Sequence, residues 1–220
     1  MEITYLGHAC FKLKSKKSGT VITDPYAPST GPTLSKPTAD IVTLSHSHAD
    51  HSAREQISGI AGTPPLVIDT AGDYEIKGIS LFGISSYHDN QYGALRGPNI
   101  IFNIIIDGIS VCHLGDLGQE SLTSEQVARI GEVDVLLCPV GGYSSLDAKA
   151  AIGVLNQLEP KVFVPMHYRT PAHNPDLFSQ LAPLESFTNE YGIAPTPIKK
   201  LDINKDRLGE ETEVVVFLPS

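Results

Sequence analysis

Within six residues, His46-Ser47-His48-Ala49-Asp50-His51, the chain places three imidazoles and one carboxylate. No other feature constrains the fold as much, because groups of this kind brought together need a common partner. A metal dication is the partner whose chemistry suits imidazole and carboxylate together. The apolar stretch Ile41-Val42-Thr43-Leu44 leads in, so the cluster stands at the end of a buried strand. The pattern from Ala49 to Ile57 predicts the start of a helix. On an extended segment, residues two apart point the same way, so His46 and His48 can grip one ion. Asp50 and His51, past the turn, aim at a neighbouring point, and the arrangement implies a second ion.

The remaining pattern is that of a layered α/β protein. Strands are predicted over Ile3 to Leu6, Cys10 to Lys14 and Thr20 to Thr23, followed by a loop from Pro25 to Pro37. Further strands are predicted at Leu66 to Ile68, Tyr74 to Ile76 and Ile79 to Ile84. Ile100 to Ile106 and Ile109 to Cys112 form a hairpin around Asp107-Gly108, a two-residue turn signal. In the second half strands and helices alternate. A capped helix runs from Ser121 to Ile130, a buried strand from Asp134 to Val140, and a helix carries Ala148, Ala151, Ile152, Leu155 and Leu158 until Pro160 stops it. Val162 to Pro165 is a strand, Asn174 to Asn189 a helix and Glu213 to Leu218 a closing strand. With no repeat and no linker, residues 1–220 are expected to form one domain.

Composition narrows the function. The net charge of −9 argues against a broad nucleic-acid surface, which is built from Lys and Arg. A small anionic substrate stays open, since metal ions supply local positive charge. Cys10, Cys112 and Cys138 are odd in number and set in apolar surroundings, as expected of buried thiols in a reducing compartment. Met1-Glu2-Ile3-Thr4-Tyr5 has no leader pattern, and Asn103 and Asp107 interrupt the most apolar stretch, so the expectation is a cytoplasmic protein off the membrane.

Four more histidines, His8, His88, His113 and His167, fall near strand ends, where active-site groups of α/β folds gather. His113 opens His113-Leu114-Gly115-Asp116, and His167 closes Val164-Pro165-Met166-His167. His173, in a Pro/Asn-rich loop, is expected on the surface. Asp24 before Pro25 is expected as a turn carboxylate or a support for the metal loop. Asp147, three residues after Ser144, has the spacing of a capping box. Arg96 is either a contact for an anionic substrate group or a solvated loop arginine. Gly141-Gly142 either lets a substrate approach or makes the turn.

The ordered set His46-x-His48-x-Asp50-His51, His88, Gly115-Asp116 and His167 resembles the metallo-β-lactamase-fold superfamily. Tyr5-Leu6-Gly7-His8-Ala9, Thr23-Asp24-Pro25, His113 to Gly118, Pro139-Val140-Gly141-Gly142 and Pro165-Met166-His167-Tyr168 resemble its branch of zinc-dependent hydrolases related to ascorbate-phosphate lactonases. The resemblance covers Tyr5 to Tyr168 and implies a four-layer αββα sandwich with metals at one edge between the sheets. It implies His46, His48 and His88 on one metal, Asp50, His51 and His167 on the other, and Asp116 bridging. The family order selects His88 over His113 as the third histidine, leaving His113 to support the site or face the substrate.

The activity so implied is hydrolysis of a small ester, lactone or phosphoester at two divalent ions, zinc first, with manganese or iron as alternatives. Two dications roughly 3.5–4 Å apart share a water and generate hydroxide near neutral pH. Asp50 would orient that water as well as ligate, and His8 and His113 are candidates for the proton donor. Three rivals stand beside it. A diiron redox protein of this family usually has a carboxylate where His48 stands, and usually a flavin-binding partner domain. A nuclease or phosphodiesterase would bind nucleotides or RNA. A non-catalytic metal-binding protein would show missing ligands, and none is missing. The expected partner is a small molecule.

Overall fold

The computed structural model describes residues 1–218. Period-two burial builds the first strand: Ile3 and Tyr5 are buried, whereas Glu2, Thr4 and Leu6 are half-buried. This strand, β1 (Glu2–Gly7), is followed by β2 (Cys10–Lys14), β3 (Thr20–Thr23), β4 (Thr38–Ala39), β5 (Ile41–Thr43), β6 (Ser58–Gly59) and β7 (Leu66–Ile68). The second sheet begins with β8 (Gly72–Ile76), β9 (Ile79–Tyr87), β10 (Pro98–Ile106) and β11 (Ile109–His113). The helix α1 (Ser124–Ile130), β12 (Val135–Pro139), α2 (Ala148–Leu158), β13 (Val162–Met166), α3 (Pro175–Phe178), α4 (Leu184–Tyr191), β14 (Leu201–Asp202) and β15 (Glu213–Val214) complete the order.

One sheet has the order β14-β1-β2-β3-β5-β7 and the other β15-β13-β12-β11-β10-β9-β8, while β4 and β6 pair by themselves. Between the two sheets lies an apolar layer that includes Phe11, Leu13, Val21, Phe102, Ile104, Val111, Leu137 and Val164. On the outer face of the second sheet, α2 and α4 bury Ala151, Val154, Leu155 and Phe187 against Leu136, Cys138 and Phe163. Over the first sheet, Tyr26 and Ile57 cover Ile22, Val42 and Leu44. The αββα sandwich is therefore present in a thinned form. The proline-rich segment 25–37 cannot sustain an α-helix, and loop and 3₁₀ turns make that outer layer instead.

Strand direction positions the site. β1 is antiparallel to β2 and β2 to β3, and β3 is parallel to β5, so β1, β3 and β5 run the same way. By the same reasoning β9, β11, β12 and β13 share one direction. Every residue that follows one of these strands therefore leaves its sheet at the same end.

Several elements differ from expectation. No α-helix starts at Ala49. Ser52 Oγ bonds the carbonyls of Ser47 and His48, and Ala53 N–H donates to Pro25 O, so only the 3₁₀ turn Arg54–Gln56 forms. The helix expected over Asn174 to Asn189 is two helices. Pro183 caps the second, and Ala182 N–H turns away to Gly141 O. The closing strand pairs only at Glu213–Val214, with a further bridge between Ile198 and Phe217. Asp147 caps α2 by accepting from Ala150 N–H at 2.9 Å, without Ser144. At α1 the full capping box forms between Thr123 and Gln126. Among the described residues no helix is long and apolar enough to cross a membrane.

Leu137 is fully buried in the layer between the sheets. Leu137→Ala should lower the unfolding free energy by about 2–5 kcal/mol, measured by urea denaturation. A change under about 1 kcal/mol would show that this layer is not the core.

Candidate metal centre

Three strands of each sheet, running the same way within it, deliver the site through the residues just past their ends: His8 after β1, Asp24 after β3, His46 to His51 after β5, His88 after β9, Asp116 after β11 and His167 after β13. Three of these, His8, Asp24 and His167, hold positive φ of 56°, 38° and 53°. Non-glycine residues in this left-handed region carry strain that the surroundings must hold, and such strain clusters at functional sites. The restraints are visible. His8 O accepts from both the Tyr5 hydroxyl and His167 N–H, and Asp24 N–H donates to Thr43 O. Gly115, at φ 58°, has no room for a side chain: a Cβ there would lie 2.4 Å from Asn99 Oδ1 and 2.5 Å from Ser45 Cβ.

The imidazoles and carboxylates form three convergent groups, one of which, Asp24 with His46 and His51, is joined by hydrogen bonds through Asp24 and Ser45. Donor atoms of His46, His48 and His88 lie within 4.8 Å of one another, as do those of His8, Asp50, His51 and His167. Asp116, 2% exposed, stands between them. Its Oδ2 is 3.3 Å from His88 Nε2 and 3.2 Å from His167 Nε2, and its Oδ1 is 3.3 Å from His51 Nε2. Nε2 of His46, His51, His88 and His167 and Oδ1 of Asp116 are buried without a hydrogen-bond partner. Buried polar atoms are normally paired, and a convergent set of buried nitrogen and oxygen atoms without partners has the chemistry of a metal site. The donor set fits divalent ions of the zinc type.

The tautomers can be read from the partners. Ser45 Oγ donates its one proton to Asp24 Oδ2, so it accepts from His46 Nδ1–H at 2.9 Å, and His46 Nε2 is left with its lone pair. His51 Nδ1 lies 2.9 Å from the same Asp24 oxygen and must donate, which frees His51 Nε2. Asp24 Oδ1 accepts from Ser45 N–H at 2.8 Å. Asp24 thus holds the metal loop and fixes two histidines at once, as carboxylates behind metal-bound histidines do.

Charge follows from burial and neighbours. Burial works against the Asp116 charge, yet His167 and His51 hold its carboxyl well below the usual range. Burial likewise opposes the charge of Asp24, but His113, His51 and His46 keep it ionised. Burial lowers His46 to about 3, with His51 adding repulsion, and it lowers His8 to about 3. His51 goes the other way: burial disfavours its proton, but Asp116 and Asp50 outweigh it and raise its affinity.

Of the residues expected from sequence, His46, His48, Asp50, His51, His88, Asp116 and His167 come together, and His8 joins them through Asp50 Oδ2 at 3.1 Å. His113 does not. Its Nε2 donates to Ala9 O at 2.9 Å and its Nδ1 accepts from Gly115 N–H at 3.1 Å, so both nitrogens are spent on backbone. It ties β11 to the turn after β1 and has no atom left for proton transfer, which corrects its candidacy as a catalytic residue. His173 is the second correction. It is 6% exposed, not on the surface, and its Nε2 lies 3.0 Å from His8 Nδ1. Nothing in the Thr170-Pro171-Ala172-His173 loop signals this; only the approach of that loop to His8 does.

Arg96 lies between two clefts. One, of about 500 Å³, is lined by His46, His48, Arg54 and Arg96; the other, of about 350 Å³, by His88, Tyr143 and Ser145 as well as Arg96. Its guanidinium sits 5.1 Å over the Tyr143 ring and reaches Tyr143 O at 3.5 Å. The loop that carries it is organised by Asp89, whose carboxylate accepts from the N–H groups of Gln91, Gly93, Leu95 and Arg96 at 2.8–3.0 Å. A cavity of about 670 Å³ is lined by Tyr168, His173 and Phe178 among others, and none of the seven converging residues lines it.

A family model described as "Beta-lactamase superfamily domain" matches residues 2–167. A UPF0173 metal-dependent hydrolase of Thermoplasma acidophilum is 27% identical, over 92% of this chain and 99% of its own. One from Thermoplasma volcanium is 28% identical, over 77% of this chain and 84% of its own. Among solved structures, a Thermotoga maritima protein assigned to the Zn-dependent hydrolases of the metallo-β-lactamase superfamily has a TM-score of 0.78 and 37% identity, covering 98% of this chain and 97% of that one.

Asp89→Ala removes four bonds to a charged acceptor and should free the loop that carries Arg96. Trypsin cleavage after Arg96 in the folded protein is expected to rise at least about tenfold, a modest share of what four such bonds contribute. Unchanged cleavage would show that the loop is held by other contacts.

Proposed function

The chain belongs to the metallo-β-lactamase superfamily and is a metal-dependent hydrolase, and from that premise we propose that it works on a small ester, lactone or phosphoester at a centre of two divalent ions. His46, His48 and His88 would hold one ion and Asp50, His51 and His167 the other, with the Asp116 carboxylate placed between the two groups. Zinc is our assignment, because four buried imidazoles and a carboxylate without thiolate suit it. Manganese and iron are the alternatives that metal analysis separates.

The observation that carries this proposal is the gathering of four buried, unpartnered Nε2 atoms from three strand ends, three of them 3.2–3.3 Å from the Asp116 carboxylate. When bound, such ions act as Lewis acids toward the substrate and lower the pKa of a water between them. The chain's own residues do the rest. Asp24 fixes a proton on Nδ1 of His46, through Ser45, and of His51, directly, so that in both rings Nε2 is the nitrogen turned toward the cluster. His8 Nε2–H holds Asp50 Oδ2 and so fixes where the other Asp50 oxygen points. Arg96, anchored on Tyr143 between the clefts, is placed to meet an anionic or polar substrate group.

Cleft volumes of about 350 and 500 Å³ suit a small molecule. A net charge of −9 supports the same choice over RNA or DNA. Three buried free thiols suit a reducing cytoplasm, where we place the protein.

Purified protein should contain about two equivalents of metal by elemental analysis, on the two-metal template, and should hydrolyse at least one member of an ester, lactone and phosphoester panel. His46→Ala should retain about one equivalent and lose more than about 100-fold in kcat/KM, beyond the 10–100-fold typical of residues that only orient a ligand. Full turnover after the metals are stripped by chelation would refute the proposal.

A further inference from the structure

We infer that His173 is a positioning residue that locks His8 in its Nε2–H tautomer, which bars His8 from ligating a metal and makes it the donor that holds Asp50. The consequence at Asp50 rests on the two-ion proposal above; the lock itself does not.

The tautomers follow from hydrogen-bond direction alone. Thr170 N–H lies 3.0 Å from His173 Nδ1 and a backbone amide can only donate; Thr170 Oγ1, also at 3.0 Å, is a hydroxyl that can donate to the same nitrogen. His173 Nδ1 therefore carries a lone pair. An imidazole must keep at least one ring proton, so that proton is on Nε2. His173 Nε2 stands 3.0 Å from His8 Nδ1, which must then accept. The same rule puts the His8 proton on Nε2, where Asp50 Oδ2 takes it at 3.1 Å. Three donations run one way, from the Thr170 amide through His173 and His8 to the Asp50 carboxylate.

The lock matters because of where His8 Nε2 sits. A ring nitrogen of His8 is within 4.8 Å of donor atoms of Asp50, His51 and His167, and Nε2 is the one facing Asp50, so by position alone His8 is a candidate fourth ligand of that group. The other tautomer would aim a lone pair there. With the proton on Nε2, the atom presents hydrogen to the cation position and can only bond the carboxylate. His173 thus decides whether this group is a site of three ligands plus a bridge or one with an extra imidazole in the place of an open position.

Packing holds the pair in register. Phe178 lies 5.1 Å from the His8 ring and 5.3 Å from the His173 ring. Asn174 N–H donates to Thr30 O, which ties the 170–174 turn to the segment beneath it. His8 itself is held at positive φ through its carbonyl, by the Tyr5 hydroxyl and His167 N–H. His173 lies outside residues 2–167, the span that the family model matches.

The test is a long-range ¹H–¹⁵N correlation spectrum of the imidazoles in ¹⁵N-labelled, metal-free protein at neutral pH. Wild type should show the proton on Nε2 of both His8 and His173. His173→Ala should give His8 a mixed or Nδ1–H tautomer. His173→Gln, whose amide N–H can reach His8 Nδ1, should restore Nε2–H. By chelator competition, His173→Ala should weaken binding of one of two zinc ions about 10–100-fold, and His173→Gln should recover most of it. A proton on Nδ1 of His8 in wild type would overturn the inference. So would an alanine variant with wild-type tautomer and wild-type zinc affinity. If wild type shows the Nε2–H tautomer yet binds no pair of ions, the lock stands and the two-ion proposal fails.

Discussion

Asp116 is a carboxylate with almost no exposure, and its oxygens face three imidazole nitrogens at 3.2–3.3 Å from the ends of three different strands. Burying an ionised carboxylate costs several kcal/mol unless opposite charge or hydrogen bonds offset it. The imidazoles face Asp116 at close range, and the Nδ1 protons of His46 and His51 are directed elsewhere, to Ser45 and Asp24. Asp24 and Asp50 add two more negative charges within the same cluster. Dications between the histidines would offset all three carboxylates, and that single electrostatic requirement would account for so many polar groups sharing one edge of the sandwich.

The fold meets this requirement through strand direction. Because β1, β3 and β5 run together in one sheet and β9, β11 and β13 in the other, six loops emerge on the same edge, each with its donor as the first, second or third residue past the strand. The cluster from His46 to His51 contributes three extra donors by turning back at once, with His51 N–H bonded to His48 O. The cost is backbone strain at His8, Asp24 and His167, which the core between the sheets must hold.

Much of this was legible because the relevant signals are local. The His46–His51 cluster and the strand-end positions of His88 and His167 are local signals, whereas Asp116 and the choice of His88 over His113 came from the order of motifs in the family resemblance. Helix stops at Pro160 and the hairpin at Asp107-Gly108 were legible for the same reason. Failures came where tertiary contacts override local pattern. Ala49 to Ile57 has helical spacing, but Ser52 and Ala53 give their hydrogen bonds to other partners. Asn174 to Asn189 is broken because the segment before Pro183 pairs with Gly141 and Arg169. His113 has a motif's position, yet both ring nitrogens serve the backbone. His173 has no motif at all, and its importance comes from a contact across 165 residues of chain.

Anomalous diffraction at the zinc edge from crystals grown with zinc tests the central claim most directly. Two peaks should appear, one bounded by His46, His48 and His88 and the other by Asp50, His51 and His167, with Asp116 between them and His8 bonded to Asp50, not to metal. A single peak, or a peak ligated by His8 Nε2, would contradict the account.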